Sequence, residues 1–218
     1  TEGQVLNRVV RRTVEGWELE ADLRHAELII DQLGLLDANT VSSPGTAALT
    51  PMTADDEEID EEAELLSSSD ATAFRAIAAR CNYLQPDRPD IQFAVKECCR
   101  MMSKPTRKAW EMLKRIGRYL KGRPRLVWRY GWQAEQDIID VHSDANWAGC
   151  KRSRKSSSGG TIAIGAHLIK SYAKTQAIIA KSSGESELYG VIRASTEALG
   201  VSTLLEDFGC IGIKASVG

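Results

Sequence analysis

The sequence contains little that would hold it in a membrane or cross-link it. No run of about eighteen consecutive apolar residues is present, which argues against a membrane-spanning helix. The five cysteines are odd in number and include no C-x-x-C pair, which argues against a disulfide framework or a zinc site. This pattern favours reduced thiols in an intracellular protein that is not secreted. We expect no membrane partner and no small-molecule cofactor.

The N-terminus lacks both an initiator Met and a basic-then-apolar leader, since it reads Thr1-Glu2-Gly3-Gln4. It is therefore not a signal peptide. Such a beginning is typical of a segment cut from a longer chain. The length of 218 residues allows one large domain or two small ones.

Charge is strongly segregated, although the net charge is only −2. Eight acids lie between Asp55 and Glu64, whereas eleven bases and a single acid, Glu111, lie between Arg100 and Arg129. Local charge therefore says more about partners than the overall balance does. A cluster of positive charge of this kind is suited to neutralising phosphate groups, so we predict contact with nucleic acid.

Composition and hydrophobic period divide the chain into four segments, at residues 1–50, 51–69, 70–130 and 131–218. Helical spacing predicts helices in the first and third segments, at residues 21–35, 70–84, 90–102 and 106–121, with Asp70 as an N-cap. Two short apolar runs within residues 4–19 indicate a hairpin or edge strands. The second segment is a linker rich in acids.

The hydrophobic period changes after Arg125. Strands are predicted at residues 126–130, 138–144, 161–164 and 168–172, with a turn at Gly165. A long helix follows at residues 185–208, with a broad buried face between Leu188 and Phe208, and a last strand begins near residue 211. Antiparallel strands, a helix and a new strand predict an α+β fold.

Two acids lie at positions from which their side chains could bind one metal ion. Asp144 ends an apolar strand, and Glu187 lies in the first turn of the long helix. Carboxylates from a strand end and from a helix packed over that sheet can converge on a divalent ion, and hard oxygen ligands favour Mg²⁺. The alternative is that both acids are merely solvated, with Glu187 favoured by the helix dipole.

Five segments resemble motifs of the copia-type LTR retrotransposon Pol polyprotein, in the same order. They are YLQPDRPDIQFAV from Tyr83, WEMLKRIGRYLKG from Trp110, SDANWAGC from Ser143, RKSSSGG from Arg154 and SSGESELY from Ser182. The resemblance covers residues 80–190 well, and a weaker match of residues 5–51 extends it to nearly the whole chain.

This resemblance implies what each segment does. Residues 1–50 would end the reverse-transcriptase thumb, 51–69 would be an acidic linker, 70–130 a helical connection, and 131–218 the first part of a ribonuclease H domain. The implied fold is a truncated ribonuclease H-like mixed sheet preceded by a mainly helical region. The intact domain would hydrolyse the RNA strand of an RNA–DNA hybrid by two-metal catalysis with Mg²⁺. Its implied partners are that hybrid and the remainder of the Pol polyprotein.

Carried over to this sequence, the catalytic and metal-binding residues would be Asp144 and Glu187, with Glu185 as the fallback for the helical ligand. Asn146 replaces the second Asp of the family motif. The later metal Asp of the family is not found among residues 213–218. Asp140 does not replace it, because it lies about 13 Å from Asp144 along a strand. We therefore expect that only a longer chain cleaves; the alternative is a catalytically inactive nucleic-acid-binding remnant.

Two basic clusters are the predicted nucleic-acid contacts. The first lies on one side of helix 106–121, and the second lies in the loop after the Asp144 strand. Their members are Arg107, Lys108, Lys114, Arg115, Arg118 and Lys121, and Arg152, Arg154 and Lys155. The alternatives are a solvated helical face, or a scaffold role of residues 1–130 for the rest of the polymerase. No Y-x-D-D motif is present, so we expect no DNA synthesis.

Overall fold

A computed structural model describes residues 1–46, 65–150, 153–210 and 212–218. The acidic run at 55–64 and residues 51–64 of the predicted linker therefore lie outside the described residues, whereas residues 68–69 of that linker belong to a helix. The chain forms two compact units, Thr1–Arg129 and Tyr130–Gly218. Helices and sheets are both present, which confirms the predicted α+β class. Among the residues described, no helix is both long and apolar enough to cross a bilayer.

The first unit begins with an antiparallel sheet. Its strands β1 (Glu2–Val5), β2 (Arg8–Arg12) and β3 (Gly16–Glu20) pair in sequence order, which confirms the strands predicted within residues 4–19. Leu6 and Asn7 make the first turn with positive φ angles of 50° and 63°. Strand β4 (Val127–Gly131) lies next to β3 in the same sheet. The predicted mainly helical region therefore also contains a sheet.

Four helices form the rest of the first unit. They are α1 (Leu23–Gln32), α2 (Ser68–Leu84), α3 (Pro89–Cys99) and α4 (Arg107–Gly122), which confirms the four predicted helices. The predicted cap of α2 was wrong. Ser67 is the N-cap, because its Oγ accepts from the Asp70 backbone N–H at 3.1 Å and donates to the Asp70 carboxylate at 2.8 Å. Asp70 completes the cap from inside the first turn.

One hydrophobic core joins all four helices of the first unit. Its fully buried members include Ile29, Phe74 and Ile91, one from each of the first three helices, and Leu113 and Leu120 from α4. Each side chain of this kind stabilises the fold by about 1.5–3 kcal/mol relative to an exposed one. Residues before and after the linker therefore fold as a single unit.

The core of the first unit also holds thiols. The five cysteines are free, and Cys81 and Cys98 are buried in this core. Burial raises the pKa of both thiols, so they stay protonated. They pack as small apolar groups.

The second unit is a mixed sheet with one helix. Strands β5 (Ile138–Asn146), β6 (Ser157–Ile164) and β7 (His167–Thr175) are antiparallel neighbours, and Gly165 makes the predicted turn with φ +57°. Helix α5 (Ser183–Asp207) follows, and β8 (Lys214–Val217) then pairs with β5 in parallel. The strand order is β7-β6-β5-β8.

The predicted buried face of α5 was wrong for most of its large residues, although Ala198 is buried and Leu205 packs against the core as expected. Leu188, Ile192, Leu199, Leu204 and Phe208 are each more than half exposed. The face against the sheet is instead a row of small residues at helical spacing, Ser186, Gly190, Ala194 and Ala198. Small side chains let the helix backbone approach the strands closely, and of the larger apolar residues Val201 and Leu205 pack against the same core.

Candidate functional site

Asp144 lies near the end of β5 with its side chain exposed. It pairs with Gly159 of β6, which in turn pairs with Ala173 of β7, so small residues surround it on its face of the sheet. Within the described residues it forms no hydrogen bond and no ion pair. Its carboxylate is therefore free to bind a cation or a hydrogen-bond donor from outside.

Glu185 and Glu187 differ in what their carboxylates do. The Glu185 Oε2 accepts from the Lys181 backbone N–H at 2.6 Å, and its Oε1 accepts from the Tyr189 hydroxyl at 3.1 Å. That hydroxyl hydrogen bond also raises the pKa of Tyr189. Glu185 thus helps to cap α5, together with the N-cap Ser182. Glu187 is half-buried and has no such partner in the residues described, which favours it over Glu185 as a possible ligand.

Asp144 does not lie on the face of the sheet that α5 covers. A Cβ placed on Gly190 of α5 would lie 3.8 Å from both the Ser143 Oγ and the Ala145 Cβ. Helix α5 therefore covers the face formed by Ser143 and Ala145. Because strand side chains alternate and β5 pairs regularly with β6, Asp144 points to the opposite face.

The residues present do not make a complete metal site. Mg²⁺ in proteins is held by one or two carboxylates together with water and substrate phosphates. Asp144 can supply one such ligand. However, no group of three or more His, Cys, Asp or Glu side chains in the described ranges could hold a metal ion. Asp144 and Glu187 alone do not fit the two-ion arrangement.

Strand β8 runs parallel to β5 and ends just before the position beside Asp144. Val217 pairs with Val141, and the Gly218 N–H donates to the Val141 carbonyl at 2.9 Å. The Ser143 N–H donates to the Gly218 carbonyl at 3.0 Å. Position 218 is thus one residue short of Ser143 and two short of Asp144 in the parallel register.

The basic side of α4 is partly engaged in intramolecular contacts. Lys114 pairs with Glu111 at 2.9 Å. The Arg118 Nε donates to the Asn39 carbonyl at 2.6 Å, and the Lys121 Nζ donates to the Leu36 and Ala38 carbonyls. Arg107 is exposed, whereas Lys108 and Arg115 are partly buried. Nucleic-acid binding by these residues stays a prediction, and two of them also hold the segment at 36–39.

The second basic cluster lies in the connection between β5 and β6. Arg154 is exposed and has a positive φ of 53°, while Lys155 is partly buried. The Cys150 N–H donates to the Lys155 carbonyl at 3.0 Å, which closes the loop. Arg152 lies outside the described residues. The loop directly follows the Asp144 strand, as predicted from the sequence.

Sequence reasoning missed Gln176, which joins the sheet to the start of α5. Its Nε2 donates to the Ser158 Oγ at 2.9 Å and to the Ser186 carbonyl at 2.8 Å. It also lines a small cavity with Lys174 and Arg193. No spacing in the sequence marks Gln176, because its partners Ser158 and Ser186 come from distant positions along the chain.

Comparison with known proteins first defines the class. The chain is 35% and 34% identical to the retrovirus-related Pol polyproteins from transposons RE1 and RE2 of Arabidopsis thaliana, over 65% and 64% of its own length. It is also 29% identical to an uncharacterised mitochondrial protein of Arabidopsis thaliana, over 80% of this chain and 68% of that protein. No protein-family model and no solved structure matches the chain.

The chain belongs to the copia-type retrotransposon Pol polyproteins. It is a fragment by comparison with them, because it spans only 10% of the length of the RE1 and RE2 polyproteins.

Proposed function

We propose that this chain joins the end of a reverse transcriptase to the first part of a ribonuclease H domain. In the intact polyprotein that domain hydrolyses the RNA strand of RNA–DNA hybrids with Mg²⁺. Asp144 is its strand ligand and Glu187 its helical ligand. The motif from Ser143 and the motif from Ser182 support this assignment, as does the relation to Pol polyproteins.

The parallel pairing of β8 with β5 is the observation that carries the proposal. In a chain continuing beyond Gly218 in the same register, the second following residue is the neighbour of Asp144 on the adjacent strand. Neighbouring strands lie about 4.8 Å apart, and side chains of paired positions share a face. The resemblance expects the next metal Asp on this strand, so a carboxylate there would join Asp144.

Completion of the site therefore depends on residues after Gly218. The 218-residue chain has no three-carboxylate group in its described ranges. We expect this chain alone to leave a hybrid uncut. We expect cleavage once the chain is extended through the rest of its reading frame.

A cleavage assay tests the proposal with a labelled RNA–DNA hybrid and Mg²⁺, run on the 218-residue chain and on the extended chain. The extended chain should cut the hybrid. Asp144→Asn should reduce cutting to background, because it replaces the anionic carboxylate by a neutral amide of the same shape. Asp140→Asn is the matched control, since Asp140 lies on the same strand and face. Equal cleavage by the short and extended chains would contradict the assigned position of the missing ligand.

Glu187 needs a separate test, because it comes from α5 and not from the strand that carries Asp144. Glu187→Gln in the extended chain should abolish cutting if it is the helical ligand. Glu185→Gln should lower stability through the lost cap contacts while leaving activity in the folded protein. Full cleavage by Glu187→Gln would remove Glu187 from the site.

A second candidate function is a remnant that binds nucleic acid without cutting it. The lack of a three-carboxylate group among the residues described favours it. The extended chain would then bind a hybrid, with affinity falling steeply as salt rises, and would show no Mg²⁺-dependent cleavage. Any cleavage that Asp144→Asn abolishes rejects this alternative.

A further inference from the structure

The side chain of Gln176 links a strand of the second unit to the start of its helix. The Gln176 Nε2 donates to the Ser158 Oγ of β6 at 2.9 Å and to the Ser186 carbonyl of α5 at 2.8 Å, and both serines are buried. The Gln176 backbone N–H donates to the Ser156 carbonyl at 2.8 Å, so this residue continues the pairing of β7 with β6. One amide nitrogen on a fixed backbone position therefore fastens the start of α5 to the sheet.

The two partners of Gln176 are sequence neighbours of residues at the proposed site. Ser158 is adjacent to Gly159, which pairs with Asp144 across β5 and β6. Ser186 directly precedes Glu187 near the start of α5. A shift of this part of the helix relative to β6 would therefore move Glu187 relative to the strand that carries Asp144.

A second contact holds the other end of the connection between β7 and α5. The Trp147 Nε1–H donates to the Ala180 carbonyl at 3.0 Å. Trp147 directly follows β5, and Ala180 lies shortly before Ser182, the N-cap of α5. The connection is thus fastened to β6 at its beginning and to the end of the Asp144 strand near its close.

The contact with the helix requires an amide nitrogen at position 176. A carbonyl oxygen only accepts hydrogen bonds, so the Ser186 carbonyl must meet the Gln176 Nε2 and not its Oε1. A glutamate at this position would place an anionic oxygen against that carbonyl. A methionine has a similar length and would fill the same space without donating a hydrogen bond. The two substitutions therefore test the hydrogen bond with little change in shape.

We propose that Gln176 is a positioning residue of the ribonuclease H site. Through Ser158 and Ser186 it fixes the start of α5, and with it Glu187, relative to the strand of Asp144. The role of Glu187 rests on the proposed function, whereas the link between strand and helix rests on the hydrogen bonds alone. Placement matters for the rate, because a displacement of about 1 Å at a reacting group can slow a reaction roughly a hundredfold.

The first test measures amide hydrogen exchange in the 218-residue chain. Gln176→Met should speed exchange at residues 186–189 roughly tenfold, because the start of α5 loses its link to β6. Residues 194–198, in the middle of the helix, should exchange as in the wild type. Gln136→Met is the matched control, since the Gln136 Nε2 donates only to the nearby Ala134 carbonyl. Unchanged exchange at residues 186–189 in Gln176→Met would overturn the link.

The second test measures cleavage of an RNA–DNA hybrid by the extended chain. Gln176→Met should lower kcat roughly tenfold and leave the KM for the hybrid within about twofold, because Gln176 acts on placement and not on substrate binding. Gln176→Glu should lower kcat further. Ser158→Ala should lower it less, because the Ser186 carbonyl still holds the amide.

Ser182→Ala separates positioning from stability. It removes the side chain that caps α5, where the Ser182 Oγ accepts from the Glu185 N–H at 3.1 Å, but leaves the link to β6 intact. It should lower the melting temperature about as much as Gln176→Met does while keeping kcat. If kcat falls in both variants in step with the melting temperature, Gln176 has a structural role only and the proposal is wrong.

The outcomes also distinguish this proposal from the proposed function. Full kcat in Gln176→Met would overturn the positioning role while the nuclease assignment stands. If the wild-type extended chain never cuts the hybrid, the nuclease assignment fails and the positioning role fails with it. The exchange measurement on the 218-residue chain decides the link between strand and helix in either case.

Discussion

The buried charged residues of the first unit differ from two acids of the second unit, Asp144 and Glu187, although the second unit also holds a paired acid, Glu197, with Lys170 and Arg193. In the first unit Arg88, Glu20 and Glu97 are almost completely buried, and each is paired with opposite charge. In the second unit Asp144 and Glu187 have no hydrogen bond or ion pair within the described residues. Buried charges must be paired because an unpaired one is costly. Unpaired acids on an accessible strand and helix are instead available to something outside the chain.

The same contrast separates two motifs that resemble the same family. Arg88 and Asp90 belong to the first motif, and Arg88 donates to the Asp90 carboxylate and to the Arg123 and Pro124 carbonyls. Although burial acts to raise the pKa of Asp90, the Arg88 hydrogen bonds and charge outweigh it, and the pKa is lowered. Intramolecular contacts therefore account for the charged residues of this motif. No contact among the described residues accounts for Asp144 or Glu187 in the other two motifs.

The largest effect is expected for Arg88→Ala, which tests whether the buried charged pairs of the first unit stabilise its fold. Removing this side chain leaves two backbone carbonyls without their donor and Asp90 with only the Tyr119 hydroxyl, so we expect a loss of roughly 3–5 kcal/mol in the free energy of unfolding. Urea denaturation followed by tryptophan fluorescence measures it. Arg129→Ala removes a more exposed pair, with Glu18 at 3.3 Å, and should cost less than about 1 kcal/mol. Equal effects of the two changes would contradict the distinction.

A smaller effect is expected at Glu20, and it depends on pH. The Arg125 hydrogen bond is the main cause that lowers the pKa of Glu20, with a further contribution from Arg11. A carboxyl group with a lowered folded pKa stabilises the protein above its unfolded pKa, and this contribution is lost as pH falls through the folded pKa. Glu20→Gln should therefore cost roughly 1.5–3 kcal/mol at neutral pH and progressively less in acid.

Thermal unfolding of Glu20→Gln at several pH values below neutrality measures this loss. Glu27→Gln is the control, because Glu27 is exposed in the same unit and its variant should follow the wild-type pH profile. A difference from wild type that stayed constant down to strongly acidic pH would show that Glu20 acts through packing rather than charge.

The smallest effect on stability is expected at Asp144. Since its carboxylate has no partner among the residues described, Asp144→Asn should change the free energy of unfolding by no more than about 0.5 kcal/mol. The same substitution should abolish cleavage in the extended chain. A loss of activity without a loss of stability would show that Asp144 serves the site and not the fold. Destabilisation by several kcal/mol would instead assign Asp144 a structural role.

Local patterns predicted the secondary structure well. The predicted helix at 106–121 agrees with Arg107–Gly122 to within one residue at each end, because helical spacing and the Thr106 cap are properties of neighbouring residues. The cap of α2 was missed because Ser67 and Asp70 both suit that position, and only the hydrogen bonds distinguish them. The place of β4 beside β3 depends on a partner far away along the chain.

The sequence by itself determined the family, the α+β class and the two acids worth testing, because motifs, hydrophobic period and residue chemistry are carried by short segments. It also determined that Ser143 and Asp144 point to opposite faces, since strand alternation is a property of the backbone. Only the tertiary structure decided which face α5 covers. Helix α5 approaches Ser143 and Ala145 at Gly190, so Asp144 lies on the opposite face of the sheet. Strand β8 pairs with β5 up to the residues just before Asp144.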